Sequence, residues 1–260
     1  MPKQYRAYAK VNIFLKITGT RGVYHEILSR FMRVEDLYDE LSFVAKSDKE
    51  PFVIEGNFDC TTQQNTIYKA YKALDAYCNS TLMRDFFTNH AVVVTKNIPA
   101  FAGLGGGSSD AATFLKMCNE AFGFGLSDET LAKLGLEVGA DVPFFIYEYA
   151  SANVRGIGEI VEPFEEETLA LDLYTPAVAI ATPRVYRAYR EHFYHPIEAE
   201  YAKELAAMRS DVVLQQLDAK GANDLFAPAC KEYPQLLRHY KEGYFFSGSG
   251  STFFKPKEEA

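Results

Sequence analysis

The sequence predicts an α+β fold, and three observations carry that expectation. The N-terminal part is rich in β-branched and aromatic residues with a period of two, the middle of the chain switches to helical periodicity, and the elements beyond it mix strands with helices without strict strand–helix–strand alternation. At 260 residues the chain has the length of one large or two modest domains. Hydrophobic residues make up 48% and charged residues 24%, the usage of a globular protein able to bury a substantial core.

Residues Tyr5 to Thr18 alternate apolar and polar side chains as a strand does, and Leu41 to Val44 and Phe52 to Ile54 read as further strands. Asn65-Thr66 offers a cap to a helix whose apolar stripe is Ile67, Ala70, Tyr71, Leu74 and Tyr77. Ala91 to Thr95 is a short β-branched run stopped by Asn97-Ile98-Pro99. After a glycine-rich loop, Ala111, Phe114, Leu115, Cys118 and Phe122 share one helical face. A second helix is expected to begin at Ser127-Asp128, to bury Leu131, Leu134 and Val138, and to end on a left-handed Gly139, with Asp141 directly after it. Phe144 to Tyr147 reads as a buried strand. Further strands are expected near Ile160, over Ala177 to Ala181 and at Phe245-Phe246, with helices over Tyr186 to His192 and Tyr201 to Leu217.

The formal net charge of −8 argues against broad binding to nucleic acid, which draws its non-specific affinity from a basic surface. An anionic ligand must therefore be met locally. No apolar run approaches a membrane span, and Tyr5 and Arg6 enter a strand-like segment with no signal-type hydrophobic region before them, so a cytoplasmic protein is expected. Cys60, Cys78, Cys118 and Cys230 are irregularly spaced and read as reduced structural thiols; His192 and His195 lack a third ligand, so no metal site is expected.

The local answer to the charge problem is Gly103-Leu104-Gly105-Gly106-Gly107-Ser108-Ser109. Backbone N–H groups in such a run can close around phosphate oxygens without Cβ clashes, and the helix that follows adds unpaired N–H groups and the positive end of its dipole. No Lys-Ser or Lys-Thr closes the run, so it is not the P-loop NTPase pattern, and Ser108 and Asp110 exclude the dinucleotide fingerprint. On composition alone the run also reads as a glycine-rich turn capping a helix, although four glycines in five residues exceed what a cap requires.

Pro99-Ala100-Phe101-Ala102-Gly103-Leu104-Gly105-Gly106-Gly107-Ser108-Ser109-Asp110-Ala111-Ala112 resembles the phosphate loop of the GHMP small-molecule kinases, named for galactokinase, homoserine kinase, mevalonate kinase and phosphomevalonate kinase. Ala9-Lys10-Val11-Asn12-Ile13-Phe14-Leu15, Tyr24-His25-Glu26 and Gly139-Ala140-Asp141-Val142-Pro143-Phe144-Phe145 are similar to the branch of that family that acts on CDP-methylerythritol, and Phe246-Ser247-Gly248-Ser249-Gly250-Ser251-Thr252-Phe253 resembles the family's third glycine motif. The resemblance runs from about residue 7 to residue 254. It implies two domains, an N-terminal ATP-binding and catalytic domain over 1–158 with the ribosomal protein S5 domain 2-like fold and a ferredoxin-like C-terminal GHMP kinase domain over 159–260.

For the site, the resemblance implies Asp141 as acceptor of the substrate hydroxyl's proton and Lys10 as the cation that positions it. A carboxylate beside an ammonium stays ionised, and a weak base suffices when the proton moves late in a loose transition state. The resemblance assigns Tyr24, His25 and Tyr186 to cytosine, Asn12 and Thr182 to the remainder of the substrate, and Asn65, Lys96 and the segment from Pro99 to Ser109 to ATP, with Mg²⁺ arriving on the nucleotide. By residue pattern alone Asp141 reads as a polar residue at a turn, Lys10 as an exposed strand residue, Tyr24 and Tyr186 as core aromatics, Asn65 as a helix cap and Lys96 as a strand-end charge. The family's usual Asp-Gly before the Tyr-His pair is replaced by Thr20-Arg21-Gly22-Val23, a differently turned loop. Two alternatives stay open, a homoserine- or phosphomevalonate-type kinase and a non-catalytic nucleotide-binding regulator on the same fold.

Overall fold

The computed structural model describes residues 2–257. In chain order the elements are β1 (Tyr5–Arg21), β2 (Tyr24–Ala45), β3 (Val53–Glu55), α1 (Thr66–Cys78), α2 (Thr81–Asn89), β4 (His90–Thr95), α3 (Gly106–Phe122), α4 (Asp128–Val138), α5 (Val142–Tyr147), β5 (Ser151–Gly156), β6 (Ile160–Pro163) and β7 (Leu171–Tyr174). They continue with α6 (Thr182–His192), α7 (Ala199–Ala207), α8 (Ser210–Gln216), α9 (Ala219–Ala222), α10 (Phe226–Glu232), β8 (Phe245–Phe246) and β9 (Phe253–Pro256). The α+β expectation holds.

The chain forms two compact units. The first comprises the chain up to Ala9, Glu35–Ile98 and Gly106–Glu148; the second comprises Lys10–Val34, Pro99–Gly105 and the chain from Tyr149 onward. In the first unit the C-terminal half of β2 pairs antiparallel with β4, Leu41 opposite Val94 and Phe43 opposite Val92, and β3 joins β4 in parallel. Helices α1, α3, α4 and α5 pack together, burying Ile67, Ala70, Leu74, Phe114, Leu115, Cys118, Leu131 and Phe144. Phe52 stacks on Tyr71 with ring centroids 3.9 Å apart. In the second unit the N-terminal half of β2 pairs with β5, Arg30 opposite Asn153, and β7, β9 and β8 form a separate antiparallel sheet. Its core gathers Leu15, Ile17, Val185, Tyr189, Leu225, Phe246 and Phe253.

Strand β1 explains where polar chemistry enters the interior. Its apolar face runs through Ala7, Ala9, Val11, Ile13, Leu15 and Ile17, all buried, but Lys10, Asn12 and Lys16 on the opposite face are buried too. Buried polar groups need partners, so this face is committed to a hydrogen-bonded network.

Four local expectations are corrected. Phe144 to Tyr147 belongs to helix α5, with Pro143 in its first turn, where the missing N–H is no loss; a short apolar run has no periodicity that distinguishes a buried strand from a buried helix. Residues 177–181 form no strand: Val178 and Ile180 enter the core from an irregular segment, and β9 is already flanked by β7 and β8. The helix expected from Tyr201 to Leu217 is broken into α7 and α8, because Ala206 O and Met208 O accept hydrogen bonds from Arg30 instead of continuing a helical ladder. Gly139 ends α4 in an extended conformation, φ −176° and ψ 150°, since its carbonyl accepts from Val142 N in the turn that enters α5; Val138 is only half-buried.

Candidate active site

The second unit brings three of the sequence motifs together. Lys10 is 3% exposed, against the reading of an exposed strand residue. Its Nζ donates to Asn12 Oδ1 at 2.7 Å and to the Gly103 carbonyl at 3.1 Å, and lies 4.6 Å from the centre of the Phe31 ring. The same Gly103 carbonyl accepts from Ser247 Oγ at 2.9 Å, and Ser247 Oγ accepts from Asn12 N at 3.3 Å. Glycine is required at 103 on two counts: φ is +75°, and a Cβ there would lie 2.2 Å from Ser247 O. The glycine loop is pinned further by Lys10 N donating to Leu104 O and Thr252 N donating to Ala102 O, each at 3.0 Å. Within this fixed loop Phe101 holds a left-handed φ of 54°, uncommon for a residue with a Cβ, and keeps its ring exposed; Pro99 and Ala100 lead into it.

The first unit carries the other end of the loop. Helix α3 starts at Gly106, so Gly106, Gly107, Ser108 and Ser109 present the N–H groups that have no partner within the helix. Thr66 Oγ1 donates to Gly107 O at 2.6 Å, which ties the start of α3 to the start of α1. Asn65 is the cap of α1, its side chain accepting from Ile67 N at 2.9 Å. Asp141 stands at the start of α5 without capping it, and a Cβ placed on Gly139, two residues earlier, would lie 3.5 Å from Ser108 Oγ. The Gly139–Asp141 turn and the first turn of α3 are thus neighbours in one unit.

Lys96 is more than a strand-end charge. Its ammonium is held by Asp39 and by Asp110, the latter at 2.7 Å, while Asp39 Oδ1 accepts from Asn97 N and Ile98 N at 2.6 and 2.8 Å. A Cβ on Gly106 would approach Lys96 Nζ to 3.6 Å, so this charge sits directly beneath the start of α3. Burial works to lower the Lys96 ammonium, but its two carboxylates outweigh burial and raise it. Burial and the neighbouring Asp39 push the Asp110 carboxyl up to about 7 against the pull of Lys96, and Asp110 Oδ1 has no hydrogen-bond partner. Two carboxylates sharing one ammonium explain this: full ionisation would leave an uncompensated charge in the interior.

A stability prediction follows from the sign of that shift. A carboxyl that holds its proton more tightly when folded favours the native state below about pH 4 and loses that contribution as pH rises towards 7. The stability of the parent relative to Asp110→Asn is therefore expected to fall by about 2 kcal/mol between pH 5 and pH 8. Urea unfolding of both proteins across that range checks it. A difference that does not change with pH removes Asp110 as the titrating group.

The residues matched to cytosine lie in the second unit. His25 is buried, its ring 5.2 Å from Tyr186 and 5.6 Å from Tyr189, and its Nε2 has no hydrogen-bond partner. Burial first, and the Arg190 guanidinium second, push its imidazole below the ordinary range, so the ring is neutral near pH 7. Tyr24 is 60% exposed, not a core aromatic, whereas Tyr186 packs against the core. Thr182 Oγ1 meets Ser249 Oγ of the third glycine motif at 2.7 Å.

Sequence reasoning missed Asp39, Asp110, Ser29, Ser247 and Tyr189. Asp110 left a signal: it precedes Phe114 and Met117 on the buried face of α3, and an acid on an apolar face demands a cation.

The GHMP kinases N terminal domain model matches residues 65–149. The chain is 59% identical to the 4-diphosphocytidyl-2-C-methyl-D-erythritol kinase of Sulfurimonas denitrificans over 99% of this chain and 98% of that protein, and 48% identical to the enzyme of the same name from Sulfurovum sp. over 97% and 98%. A crystal structure of 4-(cytidine 5'-diphospho)-2C-methyl-D-erythritol kinase superposes with a TM-score of 0.72 at 28% identity, covering 98% of this chain and 90% of the other. Buried Lys10, the pinned glycine loop and the third glycine motif thus occur in a chain that follows these enzymes from end to end, and the chain belongs to the 4-diphosphocytidyl-2-C-methyl-D-erythritol kinase family of the GHMP kinases.

Proposed function

We propose that this protein transfers the γ-phosphoryl group of ATP to the 2-hydroxyl of 4-diphosphocytidyl-2-C-methyl-D-erythritol, in the cytoplasm, on the non-mevalonate route to isoprenoid precursors. The observation that carries the reading is the Lys10 ammonium, buried and bonded to a carbonyl of the phosphate loop itself. The names of the full-length relatives supply the acceptor.

In this reading the amides between Gly103 and Ser109 and the N-terminus of α3 hold the nucleotide phosphates, with Asn65, Lys96, Pro99, Ala100, Phe101 and Ala102 around the rest of ATP. The substrate oxygen attacks the γ-phosphorus as the bond to the β–γ bridging oxygen breaks. ADP departs, and Asp141 accepts the hydroxyl proton. Lys10 offsets negative charge at the reacting oxygens. Mg²⁺ would arrive with the nucleotide, where the hydroxyl of Ser108 or Ser109 in the first turn of α3 would be the protein oxygen to meet it, and the metal would supply further charge neutralisation. Tyr24, the neutral His25 and Tyr186 take the cytosine, and Asn12 and Thr182 the sugar-alcohol side.

A coupled ADP-release assay tests the reaction and substrate together. Turnover is expected with 4-diphosphocytidyl-2-C-methyl-D-erythritol and not with homoserine, mevalonate or galactose; preference for one of the latter overturns the acceptor. His25→Ala is expected to raise KM for the cytidylated substrate about tenfold while KM for ATP stays within about twofold. Equal KM values in the variant and the parent would take the cytosine away from His25.

A further inference from the structure

Ser29 has no part in the reaction described above, yet it is fully buried and both hydrogen bonds of its side chain go to the middle of β1, close to Lys10 in sequence. Asn12 Nδ2 donates to Ser29 Oγ at 2.9 Å, Ser29 Oγ donates to the Phe14 carbonyl, and Lys10 Nζ donates to Asn12 Oδ1 at 2.7 Å. This chain of bonds has a single direction. A main-chain carbonyl only accepts, so the Ser29 hydrogen is committed to Phe14 and its lone pairs face Asn12. An ammonium only donates, so the other end of the Asn12 amide must be its oxygen. Both ends demand the same orientation of one amide. Without the hydroxyl, Asn12 Nδ2 would be buried with no acceptor, and turning the amide would point its NH₂ at the ammonium. The Asn12 main chain is held separately by Ser247 Oγ, and Gly248 packs where a Cβ would lie 3.3 Å from Asn12 Oδ1, so the loss of Ser29 releases the amide and not the strand.

We propose that Ser29 is a positioning residue for phosphoryl transfer, which fixes the Asn12 amide and through it the place of the Lys10 ammonium against the Gly103 carbonyl. The inference rests on the role given to Lys10 above. Because Ser29 acts through Asn12 on Lys10 and not on the nucleotide, its signature is a fall in kcat at constant KM for ATP.

Steady-state kinetics on the full-length protein test it. Ser29→Ala is expected to lower kcat about tenfold with KM for ATP within about twofold, and Ser29→Thr, which keeps the hydroxyl on a residue suited to a strand, to restore most of the rate. A second background separates orientation from stability. In Asn12→Asp both side-chain oxygens accept, so no orientation remains to be lost, and Ser29→Ala should lower kcat there by less than about threefold. If Ser29→Ala does not accumulate as folded protein, Ser29→Cys, of similar size but a weak acceptor for Asn12 Nδ2 and a weak donor to Phe14 O, takes its place with the same expectations. Equal losses in the two backgrounds, or a KM for ATP that rises in step with the lost rate, would make Ser29 a packing residue and overturn the proposal. Lys10→Met measured alongside separates the two readings. Slow turnover in Lys10→Met with a fast Ser29→Ala defeats the Ser29 inference alone; fast turnover in Lys10→Met defeats the role of Lys10 and the inference with it.

Discussion

Replacing Asp141 by Asn is expected to lower turnover by about a thousandfold while ATP continues to bind. The substitution is nearly isosteric, so the start of α5, where Asp141 makes no capping bond, should keep its geometry. What is lost is the ability to take a proton, because an amide does not accept one near neutrality. The nucleotide contacts proposed for the loop are main-chain amides of other residues, so ATP affinity measured by calorimetry should change by less than about threefold. Turnover that persists in Asp141→Asn would show that the base is another group; joint loss of turnover and ATP binding would show that residue 141 shapes the phosphate site and does not act on the acceptor.

The largest effect on stability is expected at Glu166. Arg30 is fully buried, its guanidinium 3.3 Å from the Phe164 ring centre, and it donates to Asn153 Oδ1, Glu166 Oε1, Ser210 Oγ, Ala206 O and Met208 O. Glu166 is the carboxylate that balances it, and it also accepts from Ser151 Oγ, Ser210 N and Ser210 Oγ. Removing one partner of a buried pair leaves an uncompensated charge, so Glu166→Ala should destabilise the protein by about 3–5 kcal/mol, on the order of 10 °C in Tm. Arg30→Met combined with Glu166→Leu removes both charges and should recover part of the loss, though the serine donors stay unpaired. A Glu166→Ala protein within about 1 kcal/mol of the parent in chemical denaturation would mean that water reaches Arg30.

How legible these features were depended on whether the information was local. The glycine loop could be read directly, because a run of residues without Cβ just before a helical period has few uses. The Asn65 cap could be read for the same reason, its acceptor and donor being two residues apart. The burial of Lys10 could not: alternation along β1 marks one face as polar, but nothing in the strand says that this face is covered as well. The Lys96 pair with Asp39 and Asp110 joins residues far apart in sequence, and only the acid on the apolar face of α3 hinted at it. Helix α5 was hidden by its own composition, and the break between α7 and α8 is imposed by the guanidinium of a distant strand residue. The resemblance bridged the gap for the family motifs, whose order along the chain is diagnostic even where single residues are not.

The interleaving of the two units has a consequence for biogenesis. The last stretch of the first unit ends at Glu148, whereas the second unit needs β9, near the C-terminus, whose Phe253 lies in the same core as Leu15 and Ile17. On the ribosome the stretch from Lys10 to Val34 therefore emerges long before β5, which pairs with its Ile27–Met32 segment, and longer still before Phe253, so its core closes only when most of the polypeptide has been made. Loss of Phe253 would thus open a core built on residues from the early part of the sequence.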